Sequence, residues 1–198
     1  MRSLCLATCF VLLASVSYAE EEDHAIHQEL RGLLTGIEQA INASKYEDLA
    51  PFFHERTQIT TINQEVIASR SDIPAYFNKW FGPGGYLKKL EMKLTADALT
   101  ALYGEKTIGV VRGFGEENYV LADDRFFPMK TRWTATVIKD HDSKWRILSL
   151  HIGTNFLDNP ILAKAEGSLM YIGVGGLVIG LALGALAAFL ITRRKKLA

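Results

Sequence analysis

Apolar residues between positions 24 and 42 recur every three or four residues, with polar and charged residues between them. The recurring positions are Ile26, Leu30, Leu33, Leu34, Ile37 and Ile41. This spacing places them on one face of an α-helix of about five turns. Asn42-Ala43-Ser44 ends the pattern, and Tyr46 to His54 is expected to form a second, shorter helix. A third helix is expected from Asp72 to Phe81, because the glycine- and proline-rich segment that follows stops it.

The second half of the domain alternates with period two, which is typical of β-strands. The alternating positions are Leu90, Met92 and Leu94, then Ile108, Val110, Arg112 and Phe114, then Trp133, Ala135 and Val137, and finally Trp145, Ile147, Ser149 and His151. Turn residues at 122–124 and 140–143 predict antiparallel hairpins, and residues 58–62 and 65–68 predict one more strand pair. Helices followed by a meander predict an α+β domain, with helices packed on a curved antiparallel sheet.

The two ends of the chain carry apolar segments of different lengths. Leu4 to Val16 is short, follows a basic residue and precedes small residues, which is typical of a signal peptide cleaved after Ala19. Leu169 to Ile191 is a run of 23 residues without charge, followed by the basic cluster Arg193–Lys196. As a helix this run is about 35 Å long, enough to cross a hydrocarbon core of ~30 Å. Basic residues flank the cytoplasmic ends of membrane helices, so we expect the C-terminus in the cytoplasm.

These segments predict the organisation of the chain. We expect a signal peptide at 1–19, a domain at 20–160, a linker at 161–168, a transmembrane helix at 169–191 and a basic cytoplasmic tail at 192–198. The domain would lie outside the cytoplasm, which in a Gram-negative cell would be the periplasm. It is long enough to form a single core of ordinary size.

Charge and cysteine content narrow the classes of function. All 22 acidic residues but only 17 of the 22 basic residues lie within 20–168, so this segment carries a net charge of −5. An acidic domain argues against a nucleic-acid partner. Both cysteines, Cys5 and Cys9, lie inside the predicted signal peptide. The exported domain therefore has neither disulfides nor cysteine metal ligands.

Three local motifs, in this order, support a family resemblance. They are the helix-to-helix turn Ala40–Leu49, the strand opening Arg132-Trp133-Thr134, and Lys144-Trp145-Arg146-Ile147 followed by His151. From the first helix to Phe156, about 135 residues, the chain resembles the nuclear-transport-factor-2-like superfamily, in particular its SnoaL-like branch. The last motif is similar to one in the association domain of calcium/calmodulin-dependent kinase. The resemblance implies a cone-shaped fold that often dimerises through its sheet.

Several members of the superfamily are enzymes, including ketosteroid isomerase, scytalone dehydratase and polyketide cyclases. Their cavity holds a carboxylate or histidine that moves protons, with donors that stabilise an enolate. The isomerase residues do not carry over to this chain. The oxyanion tyrosine falls on Ile37, the aspartate base falls near Thr60, and the strand acid falls near Trp133 or Thr134.

The remaining candidates for a ligand site are Tyr76, Trp80, Arg132, His151 and Asn155. His151 alternates in phase with Trp145 and Ile147, which predicts that it points inward, either as a ligand contact or as a structural residue. Arg132 could clamp an anionic ligand or form a surface ion pair. We expect no metal and no cofactor, because His24 and His27 on the first helix have no evident third ligand.

Two functions remain open. The first is a membrane-anchored module that binds a small molecule or assembles with a partner, without catalysis. The alternative is a lyase, isomerase or cyclase that uses His151 as its acid or base. Gly176, Gly180, Gly184 and Ala188 place small residues on one face of the membrane helix, which predicts a homodimer. Crosslinking of Gly180→Ile against Leu181→Ile tests this pairing: equal yields would leave the small residues without a role.

Overall fold

The computed structural model describes the backbone of residues 3–197 and the side chains of residues 23–191 and 193. The chain divides into two compact units, Met1–Asn155 and Phe156–Ala198. The predicted signal peptide at 1–19 lies where no side chain is described, and its first two residues lie wholly outside the described part. Its cleavage therefore stays a prediction.

The elements of the first unit follow the predicted order, helices before a strand meander. The helices are α1 (Ser3–Asn42) and α2 (Ile73–Phe81), with 3-10 turns at Tyr46–Phe52 and Arg70–Asp72. The strands are β1 (Phe53–Thr60), β2 (Val66–Ile67), β3 (Leu87–Ala96), β4 (Ala101–Tyr103), β5 (Ile108–Leu121), β6 (Phe126–Lys139) and β7 (Trp145–Thr154). The helix expected to end at His54 stops at Phe52 instead, because Phe53 already pairs with Ile147 in the sheet.

The seven strands form one open sheet with β2 and β3 at its edges. The order is β2-β1-β7-β6-β5-β3, and the short β4 pairs with β5 beside β3. The predicted hairpins β5–β6 and β6–β7 are antiparallel, as is the β1–β2 pair. Among the strands described, only the neighbouring pair β1 and β7 runs parallel. The predicted α+β fold is confirmed, with this one parallel pair in an otherwise antiparallel sheet.

Helices α1 and α2 cover one side of this sheet, called the inner face below. The stripe predicted for α1 is buried at Ile26, Leu30, Ile37 and Ile41. It belongs to one apolar cluster that also includes Leu49 and Ile73, together with the inner-face residues Leu90, Val137 and Ile147. The opposite side of the sheet is called the outer face. Burial alternates along β6 between the two faces, as the period of two requires.

Two polar side chains of α1 hold the edge strand β3. The side-chain amide of Asn42 donates to the carbonyl oxygen of Met92 at 2.8 Å, and its oxygen accepts from the Met92 amide at 2.7 Å. One turn earlier, the carboxylate of Glu38 accepts from the Leu94 amide at 2.7 Å. These bonds satisfy backbone groups that an edge strand otherwise leaves unpaired. They also fix β3, which carries one wall of the site described below.

A β-bulge in β7 changes which residues face inward. Ile147 pairs with Val137 while Ser149 pairs with Thr136, so Leu148 has no partner in the register. Before the bulge, Trp145 and Ile147 are buried. After it, Leu150 packs against the core while Ser149 and His151 are exposed. The extra residue has reversed the alternation of the strand.

The second unit contains α3, which runs from Pro160 to Leu197. Residues 161–168, the expected linker, are thus helical. Within the described residues, the segment Pro160–Ile191 is the one helix long and apolar enough to cross a membrane. Length and composition do not determine which end of the helix faces the cytoplasm, so the topology stays a prediction.

Candidate functional site

A buried carboxyl group lies on the inner face, in the middle of β5. Glu117 pairs with Met92 of β3 on one side and with Met129 of β6 on the other. Its exposed fraction is 4 %, and that of Thr131 is 2 %. Acidic residues are rarely buried so fully unless a partner compensates them. The partners of Glu117 therefore decide what this site can do.

Two hydroxyl groups donate hydrogen bonds to Glu117. The Thr131 hydroxyl donates to Oε1 at 2.7 Å, and the Tyr119 hydroxyl donates to Oε2. Thr131 lies on β6, and Tyr119 lies two positions along β5 on the same face as Glu117. In the described part of the chain, no Lys, Arg or His side chain pairs with this carboxyl group.

The surroundings shift the pKa values of the Glu117 carboxyl group and the Tyr119 hydroxyl group. Burial raises the pKa of Glu117 above its ordinary value, and the hydrogen bonds from Tyr119 and Thr131 oppose this rise. Burial, together with the charge of Glu117, raises the pKa of Tyr119 as well. A carboxyl group with a raised pKa keeps its proton to higher pH than a solvated one, whereas Tyr119 remains a hydroxyl donor.

Two glycines of β5 make room for these side chains. A Cβ on Gly115 would lie 2.7 Å from Oγ1 of Thr131 and 3.1 Å from Oε1 of Glu117. A Cβ on Gly113 would lie 2.3 Å from Cζ2 of the Trp133 ring. The inner face of β5 thus carries Gly113, Gly115 and Glu117 in succession. The two glycines leave space that the side chains of Thr131 and Trp133 on β6 occupy.

Helix α2 brings a second tyrosine to the same place. Burial raises the pKa of Tyr76, and the charges of Glu65 and Glu117 add to this rise. The Tyr76 hydroxyl donates to Oδ1 of Asn63 at 3.3 Å. The structure thus brings Tyr76, one of the five residues expected from the sequence, into the electrostatic field of Glu117.

Trp80 lies one turn after Tyr76 on α2. Its indole N–H is buried without a hydrogen-bond partner. Lys79 lies 5.1 Å from the centre of the Trp80 ring and forms an ion pair with Glu65 at 2.9 Å. The indole N–H groups of Trp133 and Trp145 are buried without a partner as well, so this property does not single out Trp80 as a ligand contact.

Two other expected site residues lie on the outer face of the sheet. The inward orientation expected for His151 is wrong, because the bulge at Leu148 puts it opposite the exposed Thr134. Arg132 alternates outward with Thr134, and its side chain is 61 % exposed. The structure therefore does not bring these two residues together with Tyr76 or Trp80.

Arg132 forms a surface ion cluster. Its guanidinium donates to both carboxylate oxygens of Asp97, with Nη1 at 3.0 Å from Oδ1, and Nε of Arg112 lies 3.5 Å from Oδ2. The hydrogen bonds from Arg132 lower the pKa of Asp97. This is the surface pair left open as the alternative for Arg132. Asn155, the last expected residue, follows β7 and is exposed.

Other features of the described residues add no second site. No group of three or more His, Cys, Asp or Glu side chains among them could hold a metal ion. A groove of about 360 Å³ lies beside the bulge of β7 and is lined by Arg56, Gln58, Leu148 and Ser149. None of these four side chains is fully buried. The inner face at Glu117 is thus the place where burial, charge and hydrogen bonding converge.

Sequence analysis did not find Glu117, although a signal was present. Ile108, Val110, Arg112 and Phe114 gave the regular alternation of β5, but these residues lie on the outer face. The inner face carries the intervening residues, where glycines leave no apolar pattern. Glu117 continues that second phase, so counting forward from Gly113 and Gly115 could have identified it.

Comparison with known proteins relates this chain to others by fold alone. No protein-family profile matches the chain, and no curated protein sequence is significantly similar to it. Solved structures do match. Hexachlorocyclohexane dehydrochlorinase (LinA) type 2 aligns with a TM-score of 0.60 and 12% identity, over 69% of this chain and 90% of the other.

Two further structures support the same fold. A nuclear transport factor 2-like superfamily protein from Salmonella enterica aligns with a TM-score of 0.54 and 17% identity, over 66% of this chain and 92% of that one. A ketosteroid isomerase-like protein from Erwinia carotovora aligns with a TM-score of 0.55 and 8% identity, over 65% of this chain and 95% of that one. The chain thus has the nuclear-transport-factor-2-like fold, as expected. Its place in the SnoaL-like branch stays a prediction.

Proposed function

We propose that this chain is a membrane-anchored small-molecule-binding domain held outside the cytoplasm, with its ligand site on the inner face at Glu117. The observation that carries the proposal is a buried carboxyl group whose hydrogen bonds, among the described residues, come from neutral hydroxyls alone. The charged form of such a group destabilises the empty fold, and groups of this kind cluster at functional sites. The charge of Glu117 reaches Tyr76 on α2, which supports a site between this helix and the sheet.

Ligand retention tests this proposal. The full chain, extracted from its native membrane, is expected to carry a small molecule that native mass spectrometry detects as added mass. Glu117→Gln keeps the shape of the side chain but removes its charge, so the affinity is expected to fall at least about tenfold, equivalent to about 1.4 kcal/mol, and the added mass to fall with it. Glu116→Gln is the matched control, because Glu116 is the adjacent residue and is exposed. Equal occupancy in all three proteins would contradict a site at Glu117.

The membrane anchor supports the proposed location. The uncharged part of α3 is long enough to span a bilayer, and the basic residues follow it. Protease added to intact spheroplasts is expected to digest the domain at 20–160 and to spare a tag fused to the C-terminus. Protection of the domain together with cleavage of the tag would reverse the proposed topology. A homodimer, formed through the sheet and the membrane helix, is part of the same proposal.

A second candidate is an enzyme that uses Glu117, rather than the exposed His151, to transfer protons. The specific observation in its favour is the Glu117–Tyr119 pair, a carboxyl group with a raised pKa hydrogen bonded to a hydroxyl donor. LinA, an enzyme, has the same fold. Conversion of the co-purified molecule by the parent protein but not by Glu117→Gln would favour the enzyme over a binding domain.

A further inference from the structure

The charges on the two faces of the sheet are strongly segregated. The inner-face residues around Glu117 are Leu90, Met92, Leu94, Gly113, Gly115, Met129, Thr131 and Trp133. None of them is basic. Five basic residues of the same strands alternate with them onto the outer face: Lys89, Lys93, Arg112, Lys130 and Arg132. Glu117 is therefore the only charged residue among these inner-face positions.

Among the side chains that the structure describes, none gives the negative form of Glu117 a positive partner. Thr131 and Tyr119 occupy one carboxyl oxygen each, but both are neutral hydroxyls. A buried carboxylate is stabilised far more by an opposite charge than by neutral donors, because the Coulomb interaction is poorly screened away from water. A ligand can supply the charge that the fold omits.

The Tyr119 hydroxyl is bonded to the carboxyl group, and the charge of Glu117 also reaches the hydroxyl of Tyr76 on α2. The faces of aromatic rings attract cations, and a carboxylate beside them strengthens the effect. Lys79, the basic residue of α2, is already paired with Glu65.

Building on the proposed function, we propose that the ligand of the Glu117 site is a small organic cation, a primary or quaternary amine. Its positive charge pairs with the Glu117 carboxylate, and its apolar part contacts the rings of Tyr76 and Tyr119. The net charge of −5 on residues 20–168 favours the approach of such a molecule.

Three probes of similar size and different charge test this inference. They are benzylammonium, benzyl alcohol and benzoate, titrated by calorimetry into the full chain in nanodiscs near neutral pH. Benzylammonium is expected to bind at least about tenfold more tightly than benzyl alcohol, with benzoate the weakest. The control Glu116→Gln is expected to keep this order. In Glu117→Gln, benzylammonium is expected to lose its advantage, while the affinity for benzyl alcohol changes little.

The outcomes separate the two proposals. Equal affinities in the parent protein, tighter binding of benzoate, or an unchanged preference in Glu117→Gln would overturn the inference about charge. If benzyl alcohol binds and depends on Glu117, the small-molecule site stands and only the ligand class is wrong. If no probe binds and the purified chain also carries no added mass, both the ligand class and the proposed function fail.

Discussion

Gly113→Ala is expected to destabilise the domain by about 1–3 kcal/mol or more, the range for inserting atoms into a packed core. The added Cβ would lie 2.1 Å from the carbonyl oxygen of Thr95 and 2.3 Å from the Trp133 ring. The first of these contacts is with backbone, so no rotamer change relieves it. Either β3 moves away from β5 or the backbone of both strands shifts, and both weaken the wall that carries Glu117. The melting temperature of the full chain in detergent, followed by circular dichroism, measures this effect.

Gly153→Ala is the matched control for this substitution. Gly153 also lies in a central strand, β7, and pairs with Arg132. No atom lies within 4 Å of the position that its Cβ would take. Its melting temperature is expected to stay close to that of the parent protein. If both alanine variants melted alike, the close packing of Trp133 over Gly113 would not limit stability.

The stability of the parent protein is expected to carry a pH-dependent contribution from Glu117. Because the folded-state pKa of this group is raised above its ordinary value of 4.5, the folded protein holds the proton more tightly than the unfolded chain does. The stabilising contribution is therefore complete below about pH 4.5 and is lost as the pH rises through the raised pKa. Glu117→Gln cannot ionise, so the free energy of unfolding of this variant lacks that decline.

Other groups also make the stability depend on pH, so the informative quantity is the difference in the free energy of unfolding between Glu117→Gln and the parent protein. The pKa values of Asp97, Asp123, Asp140 and Asp142 are lowered, so their contributions are lost as the pH falls, in the opposite sense. These contributions are the same in both proteins and cancel. Melting curves from about pH 4 to about pH 8 are expected to favour Glu117→Gln increasingly as the pH rises. A constant difference across this range, or an equal trend in Glu116→Gln, would contradict the buried ionisation.

The fold could be predicted from sequence because its signals are periodic. The stripe from Ile26 to Ile41 repeats with the turn of a helix, and the alternation through Trp133 and Val137 repeats with the pleat of a strand. Such patterns can be recognised in the sequence without knowing which residues are in contact in the folded protein. The hairpins followed from turn residues in the same way, since these positions favour tight turns whatever the tertiary context.

The site was harder to predict because it depends on register. Leu148 is an ordinary apolar residue in sequence, yet as an unpaired bulge residue it reverses the phase of β7 and moves His151 to the outer face. Glu116 and Glu117 are identical neighbours, and only the strand phase distinguishes an exposed side chain from a buried one. Tyr76 lies on a helix, where no bulge intervenes, and the charge of Glu117 reaches it. Its role in a ligand site stays a prediction.

Methionine methyl signals offer the most direct test of a ligand site at Glu117. The chain has four methionines, and two of them, Met92 and Met129, flank Glu117 in register. In nuclear magnetic resonance spectra of the methyl-labelled full chain in nanodiscs, benzylammonium and benzyl alcohol are added separately. Binding at the proposed site is expected to shift the signals of Met92, Met129 and the methyl group of Thr131, and to leave Met170 on α3 unchanged. Shifts confined to Thr134 on the outer face, with Met92 and Met129 unmoved, would contradict the account.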